Sequence, residues 1–185
     1  MPPDQLAEPW RSLLSEIDRR AARRIDLICF GGFAVTVAYG APRTTADLDV
    51  LWTIHDPAAT AVLELAQRGS ELHKRFRVYI DQVSVATPPC NYQDRLDELF
   101  SGTFAHLRLF VPDAYDLALL KLDRNVQRDR EDVKWLARAE SLDLGELRRR
   151  YREELRPYLT GPVERHDLTL KLWVEMIEED RARRS

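Results

Sequence analysis

Cysteine is nearly absent, with two residues in 185. Cys29 and Cys90 stand in unrelated contexts, which excludes a disulfide framework and a thiolate metal cage, and makes a reducing cytoplasm the expected compartment. Cys29 falls inside an apolar run and reads as a small core residue. The four histidines, His55, His73, His106 and His166, have no ligand spacing between them, so no zinc site is expected. No apolar run approaches the roughly 20 residues that span a bilayer. Met1-Pro2-Pro3-Asp4 lacks a basic region followed by an apolar stretch, so neither a membrane span nor a secretory signal is expected. Charge of one sign is missing too: 28 Lys and Arg against 31 Asp and Glu leave a net charge of -3, and nothing global advertises nucleic acid. Repeats and low-complexity segments are absent.

What is present suits a globular protein. Hydrophobic residues make up 44% and charged residues 32%, enough for one domain with a proper core or a domain with a small helical appendage. Local basic clusters occur at Arg19-Arg20 with Arg23-Arg24, and at Arg148-Arg149-Arg150 with Arg152 and Arg156. Each is interleaved with acids or lies on an expected helix, so a solvated helix face is the first reading and phosphate contact the second.

Leu6, Trp10, Leu13, Leu14, Ile17 and Ala21 recur at helical spacing and predict an amphipathic opening helix. Ile25 to Phe30 reads as a buried strand cut off by Gly31-Gly32. Phe33 to Tyr39 follows as a short helix, with Gly40 as its C-cap. Asp47 to Trp52 alternates polar and apolar, as a strand with one wet face does. A helix is expected from Asp56-Pro57 to about Gln67, and strands over Arg77 to Val85 and Leu107 to Val111. From Pro112 the pattern is helical. Leu144, Leu147, Tyr151 and Leu155 mark one helix; Leu168, Leu172, Trp173, Met176 and Ile177 mark the last. The expected class is α+β (or α/β), with a small mixed sheet of about four strands flanked by helices. Residues 1–111 would form the core and 112–185 a helical region packed on it.

Asp47 and Asp49 lie two apart on a strand, so their carboxylates share a face. Two anions held that close repel unless a cation lies between them. Their hard oxygens suit Mg²⁺, with Mn²⁺ able to take its place. The alternative is a plain half-buried strand with a polar outer face. Gly31-Gly32 ends one strand and opens a helix, where glycines let backbone N–H groups approach a phosphate and the helix dipole adds to the attraction.

Gly31-Gly32, a short helix, Arg43-Thr44-Thr45-Ala46 and then Asp47-Leu48-Asp49 together resemble the signature of the polymerase-β-like nucleotidyltransferase superfamily, over about residues 25–52. The paired glycines with Arg-x-Thr-x-Asp-x-Asp look closest to its toxin-type bacterial branch, the AbiEii/MenT-like proteins. The resemblance implies a nucleotidyltransferase fold and transfer of a nucleoside monophosphate from an NTP to an acceptor hydroxyl by a two-metal in-line displacement. It implies that Gly31, Gly32, Arg43 and Thr45 contact the nucleotide and that a third metal-binding carboxylate comes from a following strand. Asp81 is the matching acid, inside Val78-Tyr79-Ile80-Asp81-Gln82-Val83; its other reading is a wet strand face shared with Tyr79 and Val83.

Lys121 is one cation in the apolar run Leu117-Ala118-Leu119-Leu120-Lys121-Leu122, where it must snorkel or serve an anion. Toxin-type relatives carry a comparable lysine on nucleotide phosphates. Asp113 and Asp116 suggest a capping box after Pro112. Arg128-Asp129-Arg130-Glu131-Asp132 resembles the Arg-Asp-x-x-Asp element of the same branch, in which Asp129 or Asp132 would position the acceptor or a proton and Arg128 a phosphate. Equally, Asp129 reads as a helix cap. By resemblance the acceptor is the tRNA 3′ end and the partner a cognate antitoxin. Nucleotidylation of a protein or of a small molecule of antibiotic type stands beside it, as does a non-catalytic antitoxin or scaffold.

Overall fold

A computed structural model describes residues 5–51, 57–83 and 87–184, which fall into two compact units. The first is Met1–Val85 with Leu96–Val111; the second is Ala86–Arg95 with Pro112–Ser185. Among the described residues, no helix is long and apolar enough to cross a membrane.

The first unit opens with α1 (Trp10–Arg20), whose Trp10, Leu13, Leu14 and Ile17 recur every three or four residues and are all buried. Five strands follow: β1 (Ile25–Phe30), β2 (Asp47–Leu51), β3 (Tyr79–Val83), β4 (Leu96–Leu99) and β5 (Leu107–Pro112), in the spatial order β3-β2-β1-β5-β4. β1 runs antiparallel to β2 and parallel to β5, and β2 runs parallel to β3. This is the expected mixed sheet. The pairs Cys29↔Val50, Leu27↔Leu109 and Leu48↔Ile80 gather one fully buried apolar face. Each such side chain contributes about 1.5–3 kcal/mol, so this face fixes strand register. A one-residue slip would turn it to the opposite side.

Helices α2 (Gly31–Val37), α3 (Pro57–Glu64) and α4 (Glu71–Phe76) flank the sheet. Trp10 of α1 meets Phe33 of α2 edge to face at 5.0 Å. The end of α1 is tied to the start of β5 by Asp18, whose carboxylate accepts from the backbone N–H of Ala105 (3.0 Å), His106 (2.7 Å) and Leu107 (2.8 Å). Partial burial opposes ionisation of Asp18, yet the three donors prevail and hold its pKa below the ordinary 3.8.

The second unit holds α5 (Ala114–Leu119), α6 (Gln127–Ala139), α7 (Leu144–Arg150), which continues through a π-helical turn over Tyr151–Leu155, and α8 (Val163–Ala182). Asp113 caps α5 through the N–H of Asp116 at 3.0 Å. The Asp116 carboxylate does not complete a capping box. It is buried between Arg95 (2.9 Å) and Arg150 (3.2 Å), and Arg95 also reaches Glu154 at 2.7 Å. Desolvation raises the pKa of Asp116, with the two arginines opposing it.

Several expectations need correction. α2 begins at Gly31, ahead of Phe33, and ends at Val37, while Gly40 takes a left-handed φ of +66° two residues past the C-cap Ala38. The helix expected to reach Gln67 stops at Glu64, and α4 follows, capped by Ser70 and ended by Arg77 at φ +63°. β4 was not foreseen: Leu-Asp-Glu-Leu is short and acidic, and Arg108 holds it through Glu98 at 2.6 Å. α8 buries Leu170, Trp173, Val174 and Ile177, whereas Leu168 and Leu172 are 56% and 49% exposed. Both stripes have helical period and share Trp173 and Ile177, so spacing alone could not choose between them. Trp52, His55, Asp56, Ser84 and Val85 lie outside the described residues.

Asp18→Ala strands three backbone donors and is expected to lower unfolding stability by about 1–3 kcal/mol, measured by urea denaturation near neutral pH. Because the folded pKa is depressed, this contribution is full above the unfolded value and fades as the pH falls through the folded one. The gap between wild type and variant should therefore begin to narrow as the pH falls below 3.8; a gap that does not narrow in acid would refute the assignment.

Candidate functional site

Along β2 burial alternates: Leu48 and Val50 are buried, while Asp47, Asp49 and Leu51 are half-buried on the opposite face. β3 lies beside it with Asp47 opposite Tyr79 and Asp49 opposite Asp81. Directly opposed residues on neighbouring strands project to the same side, so Asp47, Asp49 and Asp81 share one face. Asp81 is exposed, on the strand at the sheet's end.

The paired glycines have separate tasks. Gly31 has φ +62°, and a Cβ there would lie 1.7 Å from Asp49 Oδ2. The carboxylate occupies the space a side chain would need. A Cβ on Gly32 would stand 2.9 Å from Thr45 Oγ1 and 3.1 Å from both terminal nitrogens of Arg43. Thr45 Oγ1 in turn donates to Asp47 Oδ1 at 2.5 Å. Gly31, Gly32, Arg43, Thr45, Asp47 and Asp49 are thus brought together by the β1–α2 junction and the approach to β2. Since α2 has seven residues, its dipole is a minor term; what the glycines supply is room.

Beside these acids lies a group that sequence reasoning missed. Tyr79 is buried, its hydroxyl accepts from Arg68 Nη2, and the Arg68 guanidinium stands 4.5 Å over its ring. His73 meets the ring edge-on at 4.9 Å. Burial, then the charge of Asp47, raises the Tyr79 pKa, with Arg68 opposing and Asp81 adding. Strand alternation did put Tyr79 on the face of Asp81; no local signal marked Arg68.

Lys121, Asp129 and Asp132 form a cluster within the second unit. Lys121 lies in the turn after α5 and is buried, donating to Asp132 at 2.8 Å with Asp129 at 3.6 Å. Burial rules out snorkelling. Asp129 accepts from the Val126 N–H at 3.1 Å at the start of α6 and from Arg124 at 2.7 Å. Burial opposes its ionisation, but Arg124, Lys121 and the Val126 N–H outweigh it and lower its pKa. Arg128 is exposed in the first turn of α6. Cys29 is a buried core thiol whose pKa desolvation raises, as its apolar run implied.

Among the described residues, no three His, Cys, Asp or Glu side chains converge into a ready metal cage. Mg²⁺ rarely needs one: it takes one or two carboxylates and fills its shell with water and substrate phosphates. The oxygen-only donor set of Asp47, Asp49 and Asp81, with a backbone kept bare for Asp49, fits such an ion.

Residues 10–181 match the model of a family described as a nucleotidyltransferase of unknown function (DUF6036). No curated protein and no solved structure matches the chain.

The 1.7 Å approach to Asp49 distinguishes two glycines of nearly equal φ. Gly40→Ala meets nothing within 4 Å and is expected to cost about 1–2 kcal/mol of left-handed strain. Gly31→Ala adds overpacking of about 1–3 kcal/mol. Equal destabilisation of the two variants in urea would show that Asp49 does not fill that space.

Proposed function

The chain belongs to the DUF6036 family of nucleotidyltransferases, and on that footing we propose that it transfers a nucleoside monophosphate from an NTP to an acceptor hydroxyl, using Asp47, Asp49 and Asp81. The carrying observation is the single face on which these acids stand, with Gly31 bare beside Asp49. Like charges so placed repel, which is a poor arrangement for stability alone and a good one for gathering a divalent cation. Asp47 and Asp49 would hold Mg²⁺, or Mn²⁺ in its place. When bound, the ion supplies positive charge against the triphosphate and the charge developing in the transition state.

The remaining work falls to the chain itself. Thr45 fixes the Asp47 carboxylate through its hydroxyl. Arg43, packed against Gly32, turns its charge to the phosphates. Asp81, exposed on β3, takes the proton of the attacking hydroxyl. The acceptor oxygen bonds to the α-phosphorus as the bond to pyrophosphate breaks. Lys121 with Asp132 and Asp129 holds the second unit together as a buried ion cluster.

The toxin-type resemblance makes the tRNA 3′ end the first acceptor to test, with a cognate antitoxin as the implied partner. One observation favours a second reading, a protein or small-molecule hydroxyl. Much of the basic clusters is committed within the chain: Arg19 and Arg20 to Glu16, Arg24 to Asp26, Arg149 and Arg150 to Glu146, and Arg156 to Asp167. That leaves fewer free cations for an RNA backbone.

Wild type is expected to gain thermal stability from Mg²⁺ with NTP, and to label either RNA or protein when given labelled NTP with total RNA or lysate. Asp47→Ala/Asp49→Ala should still melt cooperatively without ligand, yet lose the ligand-dependent shift and about 10³-fold in transfer. A variant that transfers like wild type would sink the assignment.

A further inference from the structure

We propose that Arg68, held over Tyr79, is a phosphate-binding residue at the border of the acidic face, and that Tyr79 is the residue positioning it. This rests on the nucleotidyl-transfer reading above and names a contact that reading lacks.

The first observation is one of charge. Three carboxylates on one face repel a polyphosphate, so a substrate carrying several negative charges needs cations around them as well as between them. Four other arginines of the first unit are neutralised by carboxylates: Arg19 and Arg20 by Glu16, Arg24 by Asp26, Arg108 by Glu98. Arg68 is not, and it is set apart from Arg11, Arg75 and Arg77, which also pair with no carboxylate among the described residues, by a hydrogen bond that fixes its guanidinium. Among the described residues it forms no ion pair with a carboxylate; its partner is the hydroxyl and ring of Tyr79. No carboxylate is bonded to it directly, and it is exposed.

The second observation is that the placement is built. Tyr79 stands opposite Asp47 and two residues before Asp81 on the same face. The backbone before Arg68 is pinned to β3, since Gln67 bridges Ile80 and the Ile80 N–H donates to Ala66 O at 2.9 Å. After it, Gly69 takes φ +88°, and its N–H donates to His73 Nδ1 at 2.8 Å. That bond orients the imidazole whose ring supports Tyr79. Ser70 then caps α4. A surface arginine seldom has one rotamer; this one is held by a ring beneath it and a hydroxyl at one nitrogen. A planar fork with its other donors in solvent matches a phosphate's oxygens.

The phosphate has two sources, the NTP or an acceptor strand. Binding of Mg²⁺ with NTP, of tripolyphosphate alone and of short RNA should be measured on wild type, Arg68→Ala, Arg68→Lys and Tyr79→Phe, with melting temperatures without ligand and KM for each substrate. If the NTP is the source, Arg68→Ala weakens NTP and tripolyphosphate binding at least about tenfold, leaving RNA unchanged. If the acceptor is the source, RNA binding and the acceptor KM change and the NTP terms do not. In either case Arg68→Lys restores part of the loss, and Tyr79→Phe, which keeps the ring, raises the same KM with little change in kcat. Ligand binding like wild type in Arg68→Ala, whether or not the melting temperature falls, makes the pair a structural strut and overturns the inference alone. Wild type that binds none of the three ligands overturns it together with the transfer reading.

Discussion

A carboxylate occupying the space of a missing side chain is the contact on which the first unit turns. Asp49 can point where it does because residue 31 has no Cβ, and residue 31 lies there because β1 ends at Phe30, opposite Asp49 in the antiparallel pairing. Register, turn and acid are therefore one constraint. The apolar pairs on the buried face hold the register, and the register delivers the acids to the other face. If β2 slipped by one residue, Leu48 and Val50 would face solvent and the acids would enter the core.

This explains how much the sequence could disclose. Alternation in Asp47-Leu48-Asp49-Val50 and the break at Gly31-Gly32 are local, and local periodicity places side chains on faces reliably. The three acids were legible for that reason. Family membership supports nucleotidyl transfer, while the toxin-type branch rests on resemblance alone. What stayed hidden depended on distant partners. Asp18 meets donors 87 to 89 residues away. Arg68 has meaning only beside Tyr79, eleven residues on and beyond α4. Asp116 resembled half of a cap until Arg95 and Arg150 claimed it. Such pairings leave no trace in spacing.

The second unit shows why composition says little about partners here. Its buried acids, Asp116, Asp129, Asp132 and Glu154, each face an arginine or lysine of the same unit. A buried pair of this kind gains little over apolar residues of equal size, but removing one member leaves a charge with no compensation, at about 3–5 kcal/mol. The many charges thus act as an internal code for how these short helices pack, and a count of arginines overstates the surface available to an anion.

The bridge between Gln67 and Ile80 has a consequence of its own. β3 is an end strand, and a bare end strand offers its unpaired backbone groups to any other chain. The strap ahead of α4 takes up part of that offer, with the Ile80 N–H given to Ala66. The strand carrying Asp81 can therefore keep that side chain open to solvent while part of its backbone edge is taken up. In this protein, edge protection and the exposure of an acid fall to two different sides of the same five residues, Tyr79–Val83.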